Sequence, residues 1–228
     1  MNIKRATVLT PSSFRHLLRV IEATSRFPER DILILLLGIT CGMRVTEIAR
    51  LHVQHVMLPS GRRREEISLP GSITKGCHPR SVYLLHPKAI DAFERYVSWR
   101  LVRKAGTALN GSEYRGLMPK TRLILTQKAS ALELSIKRRI GADGSVVEYW
   151  AADSLQSYVT ALYRAAGLAV YSSHSGRRTF ATRLIANKTP YEVVQQLLGH
   201  AHLDQLSAYV DVSMREMRTA IAAIDLAA

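Results

Sequence analysis

Apolar positions recur at helical spacing through most of the chain. Pro11-Ser12-Ser13-Phe14 opens a helix that runs to about Ala23, and Pro28-Glu29-Arg30 opens a second. In that second helix Ile32 to Ile39 are apolar on every side, a pattern that demands burial. Cys41-Gly42-Met43 interrupts it, and Val45 to Leu51 reads as one short helix. Three short runs then read as strands: His52 to Met57, Glu66 to Leu69, and Arg80 to Leu84 after a turn at Lys75-Gly76-Cys77-His78-Pro79. From Pro87 to about Lys104 the apolar residues Ile90, Phe93, Val97 and Leu101 return at helical spacing, whereas Ala105–Trp150 breaks into Gly-rich and basic pieces with weak periodicity. Helical pattern resumes at Asp153–Ala166, Gly176–Ala186, Pro190–Leu198 and Met214–Ile224. The expected fold is mostly α (α+β), helical with a small three-stranded antiparallel sheet. No internal repeat or clear linker occurs, so residues 1–228 are read as one domain.

Composition bounds the function. Hydrophobic residues make up 47% of the 228, which suits a packed core rather than a disordered basic tail. The charge is unusual: 32 Lys+Arg against 18 Asp+Glu give +14, with a pI of about 10.2. Such an excess, spread along the chain, suits a polyanion and above all nucleic acid, because displaced counterions make that binding strong and salt-dependent. Composition alone leaves open a protein that is merely basic. Two cysteines are too few for a disulfide-stapled secreted domain and favour a reducing cytoplasm. The longest apolar run, Ile32 to Ile39, falls short of the roughly 20 residues that span a bilayer, and the first residues lack the apolar core of a signal peptide. Neither a membrane nor an export reading is expected.

Four elements could carry chemistry, and each has a plain structural alternative. Arg44 follows Gly42 and precedes a short helix carrying Glu47; a glycine permits a sharp turn and an arginine there presents its fork to an anion, but Arg44–Glu47 also fits a surface pair. Lys75 sits at the proposed hairpin tip, where lysines are ordinarily solvated, though a mobile lysine can deliver a proton in a substrate groove. In Ser173-His174-Ser175-Gly176-Arg177-Arg178, His174 and Arg177 share a face beside a helix N-terminus that favours phosphate; a capping histidine and two exposed arginines read equally well. Leu198-Gly199-His200 precedes Tyr209, whose position between alanine and valine is ordinarily that of a core aromatic. The phenol has a pKa near 10, so its attack on a phosphodiester needs neighbouring cations.

Together, the order Arg, Lys, His-x-x-Arg, His, Tyr with these flanking residues resembles the catalytic domain of the tyrosine recombinases, the phage integrase family. Its Gly-x-Arg-x-x-Glu box is met by Gly42, Arg44 and Glu47, and its hairpin Thr-Lys-Gly before an arginine by Thr74, Lys75, Gly76 and Arg80. The His-x-x-Arg box is met by His174 and Arg177 with Thr-Phe-Ala-Thr continuing at 179–182, and the Leu-Gly-His box by Leu198-Gly199-His200 ahead of Tyr209. The resemblance spans about Phe14 to Ala223. It implies an integrase-type catalytic domain in which Tyr209 attacks a DNA phosphodiester, expelling the 5′-hydroxyl and leaving a 3′-phosphotyrosyl bond. Arg44 and Arg177 would hold the non-bridging oxygens, Lys75 would protonate the leaving oxygen, His174 would assist proton transfer, His200 would add a hydrogen bond, and Glu47 would buttress the site. No metal or other cofactor is called for. Arg62, Arg63, Arg64, Arg80 and Arg178 are candidate DNA contacts, as is the run Lys137-Arg138-Arg139, and the runs at 62–64 and 137–139 read equally well as solvated loop charge.

The implied partners are double-stranded DNA, a tetramer assembled on paired sites through a C-terminal helix at 213–224, and accessory DNA-binding proteins; the implied location is the cytoplasm, at the bacterial nucleoid. Two departures stand out. Many family members carry a helical core-binding domain before the catalytic one, whereas here the first box begins about 40 residues in, as in a naturally short recombinase or a fragment. Within the His-x-x-Arg box, Gly176 and Arg178 stand where Leu and His are common. Two rivals share the fold or the chemistry: a catalytically impaired DNA-binding regulator and a type IB topoisomerase-like enzyme. His52 and His55, in a strand, would point to opposite faces, which argues against a shared metal.

Overall fold

The computed structural model describes residues 6–74, 79–109, 111–140 and 144–199. Among them α1 spans Pro11–Thr24, α2 Pro28–Thr40, α3 Val45–Arg50, α4 Val53–Val56, α5 Pro87–Val102, α6 Asp153–Ala165, α7 Ser175–Ala186 and α8 Tyr191–Leu198. Strands β1 (Glu66–Leu69) and β2 (Arg80–Tyr83) form one antiparallel ribbon, and β3 (Ser135–Ile140) and β4 (Val146–Ala151) form another. The chain is therefore mostly helical with small antiparallel sheets, as the apolar spacing predicts. No helix among the described residues is long and apolar enough to cross a membrane.

Helix α2 is the centre. Its residues from Arg30 to Leu37, together with Ile39, are buried, and α1, α5 and α7 pack around it. A helix without a polar face exists only when surrounded, since each buried Leu or Ile contributes about 1.5–3 kcal/mol through removal from water. Its start is fixed electrostatically: Arg30 pairs with Asp31 at 3.0 Å and donates to the Tyr158 hydroxyl of α6, which in turn donates to Asp31. Helix α1 begins on a Thr10 cap that accepts from the Ser13 amide, with Pro11 at the first helical position, and turns Phe14, Leu17 and Ile21 inward.

Two expectations need correction. The segment from His52 to Met57 is not a third strand but the single helical turn α4, with Val53 and Val56 fully buried at i,i+3 and only its flanking residues bridging to other chain segments, His52 to Arg122 and Met57 to Arg63. Both histidines consequently fall on one side, their rings 5.1 Å apart, with the His52 amide donating to His55 Nδ1. The segment 105–150, which predicts no element, contains the β3 strand and most of β4.

Candidate active site

Helix α2 ends where the site begins. Gly42 adopts a φ of +63°, a left-handed conformation that costs an L-residue strain, and the chain turns there into α3. A Cβ at this position would lie 2.5 Å from the Phe180 ring of α7, so the glycine is also required by close approach. Arg44 then caps α3, and Glu47, at its third position, reaches back to accept from the Arg44 amide at 2.7 Å.

Glu47 is not half of a surface pair. Its side chain is 1% exposed, and its carboxylate accepts from Arg44 Nη1 at 3.0 Å and from Arg80 Nη2 at 2.7 Å. Burial by itself raises the carboxyl pKa, but the nearby charges of Arg80, Arg177 and Arg44 more than offset this and hold it below its ordinary value. One carboxylate thus faces three guanidinium groups, and the surplus cationic charge suits an anion brought to this place.

The arginines occupy different depths. Arg44 lines an open groove of about 620 Å³ with Glu47, Arg50, Thr74, Lys137, Tyr149 and His174. Arg177 lies beneath it, 5% exposed, with Nη1 donating to the Gly42 carbonyl and Nη2 to the Leu198 carbonyl, each at 2.5 Å. His174 is exposed at the start of α7 and borders the groove. Arg80 differs from its expected place as a DNA contact: it is 8% exposed, held by Glu47 and the Leu197 carbonyl. Arg178 is half-buried on α7. Arg62, Arg63 and Arg64 line a separate concavity with Glu65, Glu66 and Glu94, which shares no residue with the groove. Lys75, His200 and Tyr209 lie outside the described residues, as does the helix expected at 213–224. Their flanks are placed: Thr74 lines the groove, and Gly199 ends α8 against Arg80.

The β3–β4 hairpin forms the far wall of the groove. Lys137, Val147, Tyr149 and Ala151 line it, and Arg50 lies over the Trp150 ring at 5.6 Å. Lys137 is paired with Asp153 at 2.7 Å on the exposed rim. Cys41, under the site, is inert at neutral pH because burial pushes its thiol up to about 11. No cluster of three or more His, Cys, Asp or Glu able to hold a metal occurs among the described residues.

Gly176 accounts for itself in the packing. A Cβ there would sit 3.3 Å from the Gly38 carbonyl carbon and 3.2 Å from Ile39 Cγ1, so α7 rests directly on the α2 backbone. A larger side chain there would need α2 and α7 to give locally.

The sequence profile of the phage integrase family matches residues 7–216, nearly the whole chain. The chain belongs to the phage integrase family. Among relatives, the tyrosine recombinase XerC of Anoxybacillus flavithermus is 26% identical over 220 residues, covering 92% of this chain and 59% of the relative. Among solved structures, the XerA recombinase superposes with a TM-score of 0.62 at 17% identity, over 96% of this chain and 65% of that one. The XerH site-specific recombinase bound to difH in a pre-cleavage complex gives 0.61 at 19%, over 98% of this chain and 56% of that one. These similarities establish the fold of an integrase-family member that spans about three fifths of the length of such relatives.

Proposed function

We propose that this integrase-family chain is a site-specific DNA recombinase that cleaves and rejoins DNA through a 3′-phosphotyrosyl intermediate at Tyr209. The observation that carries the reading is that Arg44 and Arg80 pair with one buried carboxylate, Glu47, beside an open groove, while Arg177 donates to the Gly42 carbonyl of the same turn. In this reading Arg44 binds a non-bridging phosphate oxygen from the groove. Arg177 joins it by exchanging a backbone carbonyl for the phosphate, since a charge-assisted bond to an anion is stronger than one to a neutral oxygen. Tyr209 forms its bond to phosphorus as the bond to the 5′-oxygen breaks. Lys75, on the segment that continues from Thr74, gives the proton to that oxygen, while His174 assists removal of the tyrosine proton and His200 donates to the phosphate. The energy of the phosphodiester is kept in the protein–DNA bond, so the reaction requires neither ATP nor a metal. Double-stranded DNA is the substrate, and exchange between two sites calls for a tetramer, assembled through residues 213–224 and aided by accessory DNA-binding proteins.

Covalent capture tests this directly. The protein is incubated with supercoiled plasmid and with DNA from its own genomic neighbourhood, denatured in detergent, and examined for protein-linked DNA. An adduct that disappears in Tyr209→Phe is expected. Tight, salt-sensitive binding without an adduct would favour a DNA-binding regulator, and cleavage that relaxes plasmid without joining two sites would favour a topoisomerase-like enzyme. An unchanged oligomer on DNA after removal of residues 213–228 would count against assembly through that helix.

A further inference from the structure

Arg80 ties parts of the site together without facing the groove. Its Nη2 donates to Glu47 Oε2 at 2.7 Å and to the Gly42 carbonyl at 3.4 Å, its Nε faces Glu47 Oε1 at 3.4 Å, and its Nη1 donates to the Leu197 carbonyl. It stands in β2, opposite Leu69, and its 4% side-chain exposure excludes it from the open groove. Arg80 thus joins three separate pieces of chain: its own strand, the Gly42–Glu47 turn, and the last turn of α8. The third is tightest. A Cβ on Gly199 would lie 2.4 Å from Arg80 Cδ, and Gly199 has a φ of +60°, so the backbone from which the chain continues to His200 rests on the Arg80 stem.

We propose that Arg80 is a positioning residue that acts through His200: its planar fork holds the Leu197–Gly199 turn against the Gly42–Glu47 turn and thereby sets where His200 meets the scissile phosphate. Lysine does not substitute fully, because one ammonium group lacks the fork that spans Glu47 and Leu197 together. The close approach of the Arg80 stem adds to the left-handed φ in favouring glycine at the end of α8. The proposal rests on the reaction proposed above.

The test is a cycle of Arg80→Lys, Arg80→Gln, His200→Ala and the two doubles, in full-length protein at a temperature where each is folded by circular dichroism. Single-turnover adduct formation on cleavable DNA is one readout, and hydrogen exchange of the segment 197–203 without DNA is the other. Misplacement of a reacting group by about 1 Å costs on the order of a hundred-fold, so Arg80→Gln should slow cleavage by about that factor, with Arg80→Lys intermediate. In the His200→Ala background the same change should cost less than about threefold, because the group it positions is gone. Exchange at 197–203 should quicken in both variants while the amides of α5 stay protected. Losses that multiply in the double, or unchanged exchange at 197–203, would overturn the proposal. If Arg80→Gln does not fold, Arg80→Lys alone decides by the same criteria. If the unaltered protein forms no adduct, it is the recombinase reading that fails, and the exchange measurement still decides whether Arg80 holds the turn.

Discussion

Replacing Gly42 with alanine should damage both the fold and the site by separable amounts. The backbone term comes from φ +63°, where an L-residue costs about 1–2 kcal/mol relative to glycine. The contact term comes from Phe180, whose ring atoms Cδ1 and Cε1 would lie 2.5 and 2.7 Å from the new methyl group. Ordinary carbon contacts are about 3.5–4.0 Å, so the ring must retreat by roughly 1 Å. Phe180 is half-buried beside Ala181, Val194 and Leu198 and can tilt, which places the cost in the lower part of the range of about 1–3 kcal/mol for overpacking. The sum, about 2–4 kcal/mol, is a large share of the stability of about 5–15 kcal/mol of a typical domain. Urea unfolding of Gly42→Ala, Phe180→Ala and the double variant measures both terms. The double should be less destabilised than the sum of the singles by about 1–2 kcal/mol, leaving the backbone term behind. Cleavage should remain impaired in the double, because the Gly42 carbonyl that accepts from Arg177 still sits on a strained turn. Unaltered stability in Gly42→Ala, or strict additivity with Phe180→Ala, would refute the reasoning.

Tyr158→Phe removes the hydroxyl shared by Arg30 and Asp31, and unfolding should show a loss of about 1–2 kcal/mol with cleavage per folded molecule unchanged. Burial, then Arg122 and the neighbouring histidine, depress His52 to about 4, and burial and Arg122 also lower His55. The unfolded chain therefore binds more protons than the folded one between roughly pH 6.5 and 4, so the urea midpoint should fall as pH drops through that window, and less steeply in His52→Gln. Lys137→Ala should lower the slope of log affinity for DNA against log salt by about 0.9, whereas Arg62→Ala, in a separate concavity, should leave it unchanged. Equal slopes for Lys137→Ala and the unaltered protein would remove the hairpin from the DNA-facing wall.

The sequence shows the helices where periodicity and punctuation agree. Pro11, Pro28 and Pro87 stand at helix starts, and Phe14, Leu17 and Ile21, or Phe93 and Val97, repeat on one face. Periodicity fails where it is too short to count. Val53 and Val56 fit an alternating strand about as well as a helical turn, and only their shared burial in α4 decides. It fails differently at β3–β4. Ile136, Ile140, Val146 and Trp150 are exposed, so no apolar face marks the ribbon, although Gly141-Ala142-Asp143-Gly144 between two six-residue runs is a hairpin turn signal.

The cluster around Glu47 is legible in the sequence as residue types in order, but not as depth. Charged side chains are read as exposed by default, because most are, so Arg44–Glu47 resembles a surface pair and Arg80 a DNA contact. The alternation in Arg80-Ser81-Val82-Tyr83-Leu84 holds the missing signal: Arg80 is in phase with Val82 and Leu84, on the face that packs inward. A charged residue on an apolar face requires a buried counter-charge, and Glu47 is the carboxylate that meets it. Removing either partner should therefore cost more than removing both: Glu47→Gln leaves the deeply buried Arg80 without its carboxylate, a loss of about 3–5 kcal/mol, while Glu47→Gln with Arg80→Met should recover part of it. Recovered stability with cleavage still lost would separate the two duties of this cluster, holding the fold and aligning the groove, since a methionine side chain restores packing but cannot tie Leu197 to the Gly42 turn.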